Sequence, residues 1–366
     1  MKNSSIILSP PINPKSKNIL FLISSIGGGG AERVACRLVS EFSKNNNVYL
    51  MYFNRKENTY HLSSKVNLIP FFQEEISTIG KWSNIQDSNL IRILEIEKIK
   101  RRYNINITIS FLYLPNILNI SSAGDGIKIL SERNDPEGKG EEYYKDMIDA
   151  YEKADKVVFQ TNYTKNKFSA NVKKKSVIIP NPICVTCFAD KIPKKKIVAV
   201  GRLVPQKNHE LLIKAFGIFH KLNTEYVLNI YGVGPLLEEL QSLVKELNLI
   251  DSVYFNGFCC DVHEKIKDAE QFVLSSDFEG MPNALMEAMM MGLPCISTNC
   301  SGVPEIIEDE KNGILIEKGD ISGLARAMLR LSEDKVLREK IRRNGMRKSE
   351  EWKLEKIIKK WENIFD

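Results

Sequence analysis

The chain has 366 residues, 43% of them apolar, and a net charge of +6 from 52 basic and 46 acidic residues. That length suits two domains and that composition a full core, which excludes global disorder. A charge so mild fits an anionic nucleotide or a membrane surface and is too weak to argue for nucleic acid.

No apolar run approaches the ~20 residues of a membrane span. Ile6-Ile7-Leu8 is too short for a signal-peptide core, so a cytoplasmic location is expected, with contact at the inner membrane face left open. The seven cysteines include Cys184-x-x-Cys187 and Cys259-Cys260 without a second pair at zinc spacing. Free thiols and no metal site are expected.

Residues 1–17 read as a loose arm. A buried strand over 18–24 leads into Gly27-Gly28-Gly29-Gly30, a helix to about Lys44 and a second strand over 47–53. A glycine loop between strand and helix suggests dinucleotide binding, but a nicotinamide site expects an acidic residue where this strand ends in Asn54-Arg55-Lys56. Residues 57–80 read as a variable loop with one strand, 66–71. A helix over 87–103, a strand over 105–111, a helix from Pro115 and a strand over 128–131 follow. The last ends in Glu132-Arg133-Asn134-Asp135-Pro136, a polar cluster whose first two residues are either an acceptor contact or a surface ion pair. Helix 141–153, strand 156–160, short helix 162–169 and strand 176–179 complete a first domain over 1–182, closed by the turn Asn181-Pro182.

A basic linker leads to strand 196–200, then Gly201-Arg202-Leu203-Val204-Pro205-Gln206-Lys207-Asn208 and a helix over 209–220. Strand 226–231 is followed by Gly232-Val233-Gly234-Pro235 opening a helix. Strand 253–256 ends in Gly257-Phe258-Cys259. Strand 271–274, the loop Asp277 to Met281, and a helix with Pro282 in its first turn and Gly292 as its stop lead to strand 293–297. A helix N-terminus at the C-terminal end of a strand is an anion site. Helices 321–331 and 335–346 finish a second domain over 183–350. The tail, 351–366, carries an apolar helical stripe with Trp352 and Trp361, suited to packing on the first domain or to lying on a membrane.

The string Glu279-Gly280-Met281-Pro282-Asn283-Ala284-Leu285-Met286-Glu287-Ala288 resembles the E-x7-E element of retaining family-4 glycosyltransferases, whose GT-B fold sets two Rossmann-like α/β domains, each with a parallel sheet, across a cleft. The strings at Gly28 to Val34 and Gly201 to Asn208 resemble the family's glycine loop and its G-R-L-x-x-x-K-N phosphate element. The resemblance implies that Arg202 and Lys207 bind the donor diphosphate, that Glu279 orients the donor sugar and that Glu287 holds the ribose. It puts Gly28, Gly29, Gly280, Met281, Pro282, Asn283, Ala284 and Leu285 against the donor and Gly257 and Phe258 against the base. Glu32, Glu132 and Arg133 become acceptor-side candidates. The histidine many relatives keep in the first domain has no counterpart between His61 and His209.

The implied activity is transfer from a nucleotide-diphosphate sugar, UDP favoured, to a glycan or lipid-linked acceptor in bacterial polysaccharide or glycolipid synthesis. Retention, with a tail helix crossing back to the first domain, belongs to the same implication. No Asp-x-Asp occurs, so metal-independent transfer without a cofactor is expected. The alternatives are a nicotinamide-dependent oxidoreductase and a non-catalytic sugar-nucleotide-binding protein.

Overall fold

A computed structural model describes residues 16–56, 60–83, 87–134, 141–190 and 192–365. Asp135 and Pro136 of the polar cluster, and most of the N-terminal arm, lie outside them. The chain forms two compact units, one of residues 1–160, 165–182 and 357–366, the other of 161–164 and 183–356.

The first unit runs β1 (Asn18–Ile23), α1 (Gly30–Phe42), β2 (Asn47–Tyr52), β3 (Asn67–Pro70), α2 (Gln73–Ser83), α3 (Ser88–Arg102), β4 (Ile107–Phe111), α4 (Tyr113–Ser121), β5 (Ile127–Ser131), α5 (Glu141–Lys153), β6 (Lys156–Phe159), α6 (Asn162–Asn166), α7 (Ala170–Lys174) and β7 (Ser176–Ile178). Its strands pair in parallel in the order β3-β2-β1-β4-β5-β6-β7. Parallel strands covered on both faces must be apolar throughout. Accordingly β1 is buried from Ile19 to Ile23, and Ile107, Ile109 and Phe111 of β4 are buried beside it.

Two helices here were not foreseen. In α2, Ile76 and Ile79 are three residues apart, the spacing that buries one side of a helix. Glu75 Oε2 accepts the backbone N–H of Phe72 at 2.9 Å, half of a capping box. Gly80 and the polar neighbours hid this pattern. In α7, only five residues long, Ser169 Oγ caps Val172 N at 3.2 Å.

The second unit runs β8 (Lys194–Val200), α8 (His209–His220), β9 (Val227–Tyr231), α9 (Leu237–Glu246), β10 (Val253–Phe255), α10 (Val262–Ile266), β11 (Ala269–Leu274), α11 (Asn283–Met291), β12 (Cys295–Thr298), β13 (Ile314–Ile316), α12 (Ile321–Glu333) and α13 (Lys335–Ser349). Its parallel order is β10-β9-β8-β11-β12-β13. Connections from β8 onward wind to one side as far as β10, then cross to β11 on the other. That reversal opens a crevice between the C-terminal ends of β8 and β11, the switch point where open α/β sheets bind ligands. Apolar clusters cover both faces, one built on α8 and α12, the other on α11. The helix after Pro235 starts two residues later than the sequence suggested, at Leu237.

The tail forms a short 3-10 turn and α14 (Leu354–Glu362). From Ile357 on it belongs to the first unit. Trp361 is fully buried, 6.0 Å from Phe111 ring to ring, and Phe365 lies 5.1 Å from Phe42. Lys356, Lys359 and Lys360 are exposed on the other side. The stripe is therefore core.

Candidate active site

Two loops close the β8/β11 crevice. The loop after β8 turns through Pro205–Lys207 into Asn208, which adopts a left-handed φ of 43°. Asparagine tolerates that conformation and can cap at the same time. Its Oδ1 accepts Leu211 N at 3.1 Å, starting α8, while its Nδ2 reaches Asp277 Oδ1 at 2.9 Å. Further bonds tie the two loops. Gln206 Nε2 donates to Phe278 O at 2.9 Å, Asp277 N to Gln206 O at 2.9 Å, and Ser275 Oγ to Lys207 O at 2.9 Å.

This stitching sets Lys207 Nζ directly against Glu279 Oε1. Ser276 Oγ donates to the same oxygen at 2.7 Å. Glu279 is buried, and so is Glu287. Burying a carboxylate is costly unless it is paired and hydrogen-bonded, and Lys207 with Ser276 supplies the partners. Arg202, five residues before Lys207, is exposed and makes no side-chain bond among the described residues. One cation is thus compensated and the other open.

Past Glu279 the backbone runs tight. A Cβ on Gly302 would collide with Gly280 O, so glycine is required for the β12 loop to lie against this turn. Pro282 sits at the N-cap of α11, one residue earlier than expected, and Gly292 ends the helix at φ 89°. The first turn of α11 has no acidic side chain and Pro282 offers no side-chain cap bond, an arrangement that suits an anion at a helix N-terminus. The side chain of Leu285 is fully buried and Met281 nearly so. Only their backbones suit ligand contact, while Asn283 and Ala284 are half-buried.

At the neighbouring strand ends, Gly257 has φ 67°, and its carbonyl accepts Gly232 N at 2.8 Å. Phe258 beside it is 60% exposed. Glu287 lies deeper, with Oε2 3.5 Å from His263 Nε2. His209 is buried at the start of α8, and desolvation holds its imidazole down at about 4, so it is neutral near pH 7. Neither histidine was singled out from sequence, because the four histidines show no metal-ligand spacing.

The first unit's candidates lie elsewhere in the chain. Gly28 has φ 92°, and Gly29 precedes α1 with the Glu32 carboxylate folded against it, the position the helix dipole favours. Glu132 and Arg133 do not form the surface pair considered above. Both are buried. Glu132 Oε1 accepts the backbone N–H of Arg133 and Asn134 at 2.8 and 2.9 Å, and Oε2 accepts Tyr151 and Tyr143 hydroxyls at 2.7 and 3.1 Å. Burial pushes this carboxyl above its usual range despite those bonds. Arg133 stacks 4.9 Å above Phe111 and 5.7 Å from Trp361, and donates to Asn181 Oδ1 at 3.0 Å. Desolvation lowers it to about 9. Sequence placed them at a strand end and missed that side chains of β4, α5 and α14 enclose them.

Two doubly wound parallel sheets, the second with a basic loop and a buried carboxylate at its switch point, agree with the architecture expected of the GT-B fold. Residues 189–348 match the family model of glycosyl transferases group 1. An uncharacterized glycosyltransferase of Haemophilus influenzae is 27% identical, with 95% of this chain and 99% of that protein aligned. The N-acetylgalactosamine-N,N'-diacetylbacillosaminyl-diphospho-undecaprenol 4-alpha-N-acetylgalactosaminyltransferase of Campylobacter jejuni is 27% identical over 87% of this chain and 91% of its own. Among solved structures, Anabaena HepE in complex with UDP and glucose superposes with a TM-score of 0.80 at 15% identity, covering 95% of this chain and 98% of that one. The second unit is a glycosyl transferases group 1 domain, and the chain is a glycosyltransferase of the GT-B fold.

Proposed function

We propose that the chain moves a hexose or N-acetylhexosamine from its UDP-sugar to a glycan or lipid-linked acceptor, with retention and without a metal, at the cytoplasmic face of the membrane. The observation that carries this reading is the Lys207–Glu279 pair at the β8/β11 switch point, beside the uncapped start of α11 and the exposed Arg202. The UDP and glucose bound by HepE and the undecaprenol-linked substrate in the Campylobacter enzyme's name support the choice of donor and acceptor class.

In this reaction the bond from the anomeric carbon to the β-phosphate oxygen breaks, and charge builds on that oxygen. The Arg202 fork, the Lys207 ammonium and the α11 amides oppose it, as fixed dipoles and charges aimed at developing charge. The acceptor oxygen bonds to the anomeric carbon on the same face, and its proton passes to the leaving phosphate. Glu279 orients the donor sugar and holds Lys207 in place. Glu287 receives the ribose diol. Glu132, whose oxygens are engaged by two amides and two tyrosines, shapes its turn without touching the acceptor.

Thermal-shift screening of nucleotide sugars should single out UDP donors. Arg202→Ala and Lys207→Ala should each lower kcat about 10²–10³-fold, the usual loss of one transition-state donor. Unchanged turnover in both would remove them from the site. Transfer should persist in chelator and give the retained anomer. Chelator inactivation rescued by manganese, or an inverted linkage, would overturn those parts of the reading.

A further inference from the structure

His263 lies on α10, five residues past Phe258 and directly beside Glu287. Its ring is buried. Nδ1 accepts the backbone N–H of Thr186 at 3.3 Å, with the Thr186 hydroxyl 3.2 Å away. An acceptor at Nδ1 places the ring proton on Nε2. That Nε2–H is the atom facing Glu287 Oε2 at 3.5 Å. The chain Thr186 N–H to imidazole to carboxylate has the form by which an outer residue fixes the orientation of a ligand-binding group. The separation is about 0.5 Å beyond ordinary hydrogen bonding, a gap such contacts close when ligand arrives.

We propose that His263 is a positioning residue for nucleotide recognition: its Nε2–H holds one oxygen of Glu287 so that the other is presented to the ribose hydroxyls. The inference rests on the reading of Glu287 as the ribose carboxylate. It also accounts for the location of His263. The helix that follows the turn at Gly257 and Phe258 reaches back to the carboxylate on α11, so the two nucleotide-facing elements are set by one imidazole. Thr186 extends the link to the segment that joins β8 to the preceding Ile183, itself bonded through its N–H to Trp352 O at 2.8 Å.

The test compares binding of UDP and 2',3'-dideoxy-UDP by calorimetry to the full chain and to His263→Met and His263→Gln. Methionine and glutamine match in length, but only glutamine offers an N–H toward Glu287. Wild type should prefer UDP by about tenfold or more, the scale of hydrogen bonds to a carboxylate. His263→Met should reduce that preference to under about threefold, with KM for the donor raised and kcat nearly unchanged, and His263→Gln should restore it. A preference kept in full by His263→Met overturns the inference alone, and so does one lost equally in both folded variants. A wild type that binds both nucleotides equally overturns the ribose role of Glu287 and the inference with it. Thermal melts establish that each variant is folded. If His263→Met does not fold, His263→Leu takes its place.

Discussion

A lysine and a glutamate pressed together in a buried crevice stabilise only as a pair. Removing Lys207 leaves Glu279 charged with one serine hydroxyl for company. Lys207→Met should cost about 3–5 kcal/mol, the price of an orphaned buried ion, whereas Lys207→Met with Glu279→Gln should cost clearly less than the two single changes summed. Urea melts of the four proteins close that cycle, and strict additivity would show the pair is not coupled. Lys100 presents the opposite case. It is buried at the end of α3 with its Nζ on Ser122 Oγ at 2.8 Å. Burial, then the neighbouring Lys128, lowers its pKa to about 7. A lysine whose folded value is depressed binds fewer protons folded than unfolded, so stability rises with pH between about 7 and 10.5. Lys100→Met should therefore melt higher than wild type by a few kcal/mol at pH 7, an advantage that vanishes above about pH 10.5. Melting curves at the two pH values measure it. Residues of this kind were illegible in the sequence. Lys100 stands in a run of charges, and nothing in its neighbours announces that Gly124 and Ser122 enclose it. The E-x7-E spacing and the Arg202 to Lys207 loop were legible because each sits where a strand gives way to a helix.

At the scale of elements, the strand and helix sequence of the second unit was readable nearly throughout, because its parallel strands are short apolar runs bounded by glycine or proline. α2 was not, since its helical signal is two isoleucines and a capping glutamate around a glycine. The join between elements matters most at Asn208, where one side chain both caps α8 and anchors Asp277. Asn208→Gly keeps the left-handed backbone and loses both bonds. The lost cap should cost a few tenths of a kcal/mol and the lost Asp277 bond about 1 kcal/mol in stability, with a larger factor in donor binding because the β8 and β11 loops lose a tie. Matched losses in the two measurements would show that the tie serves the helix alone. α14 is the second such element. Trp361→Ala should destabilise by about 3–5 kcal/mol through the cavity it leaves against Phe111 and Arg133, read from the denaturant midpoint.

For the molecule as a whole, Arg202, Lys207, Glu279, Glu287 and His263 all fall within residues 183–356 of the second unit. UDP should accordingly raise the melting temperature of that unit. If calorimetry resolves two transitions, the one lacking a shift belongs to the first unit. The sequence reading separated the domains near residue 182 from the turn at Asn181-Pro182 and the basic linker after it. It had no means of seeing that residues 161–164 cluster with the second unit, because Glu305 takes the backbone N–H of Asn162 and Tyr163 at 2.9 and 2.8 Å.

The interlaced course of the chain bears on its synthesis. The seven-stranded sheet has all its strands once β7 has left the ribosome, yet Trp361 and Phe365, which cover Phe111 and Phe42, are encoded beyond the 174 residues of 183–356. At about 5–20 residues per second, those aromatic faces stay bare for roughly 10–35 s in every nascent protein. Ribosome-arrested chains ending near residue 200 should be cut by protease far more readily than released full-length protein, and chaperone engagement should be greatest in that same interval.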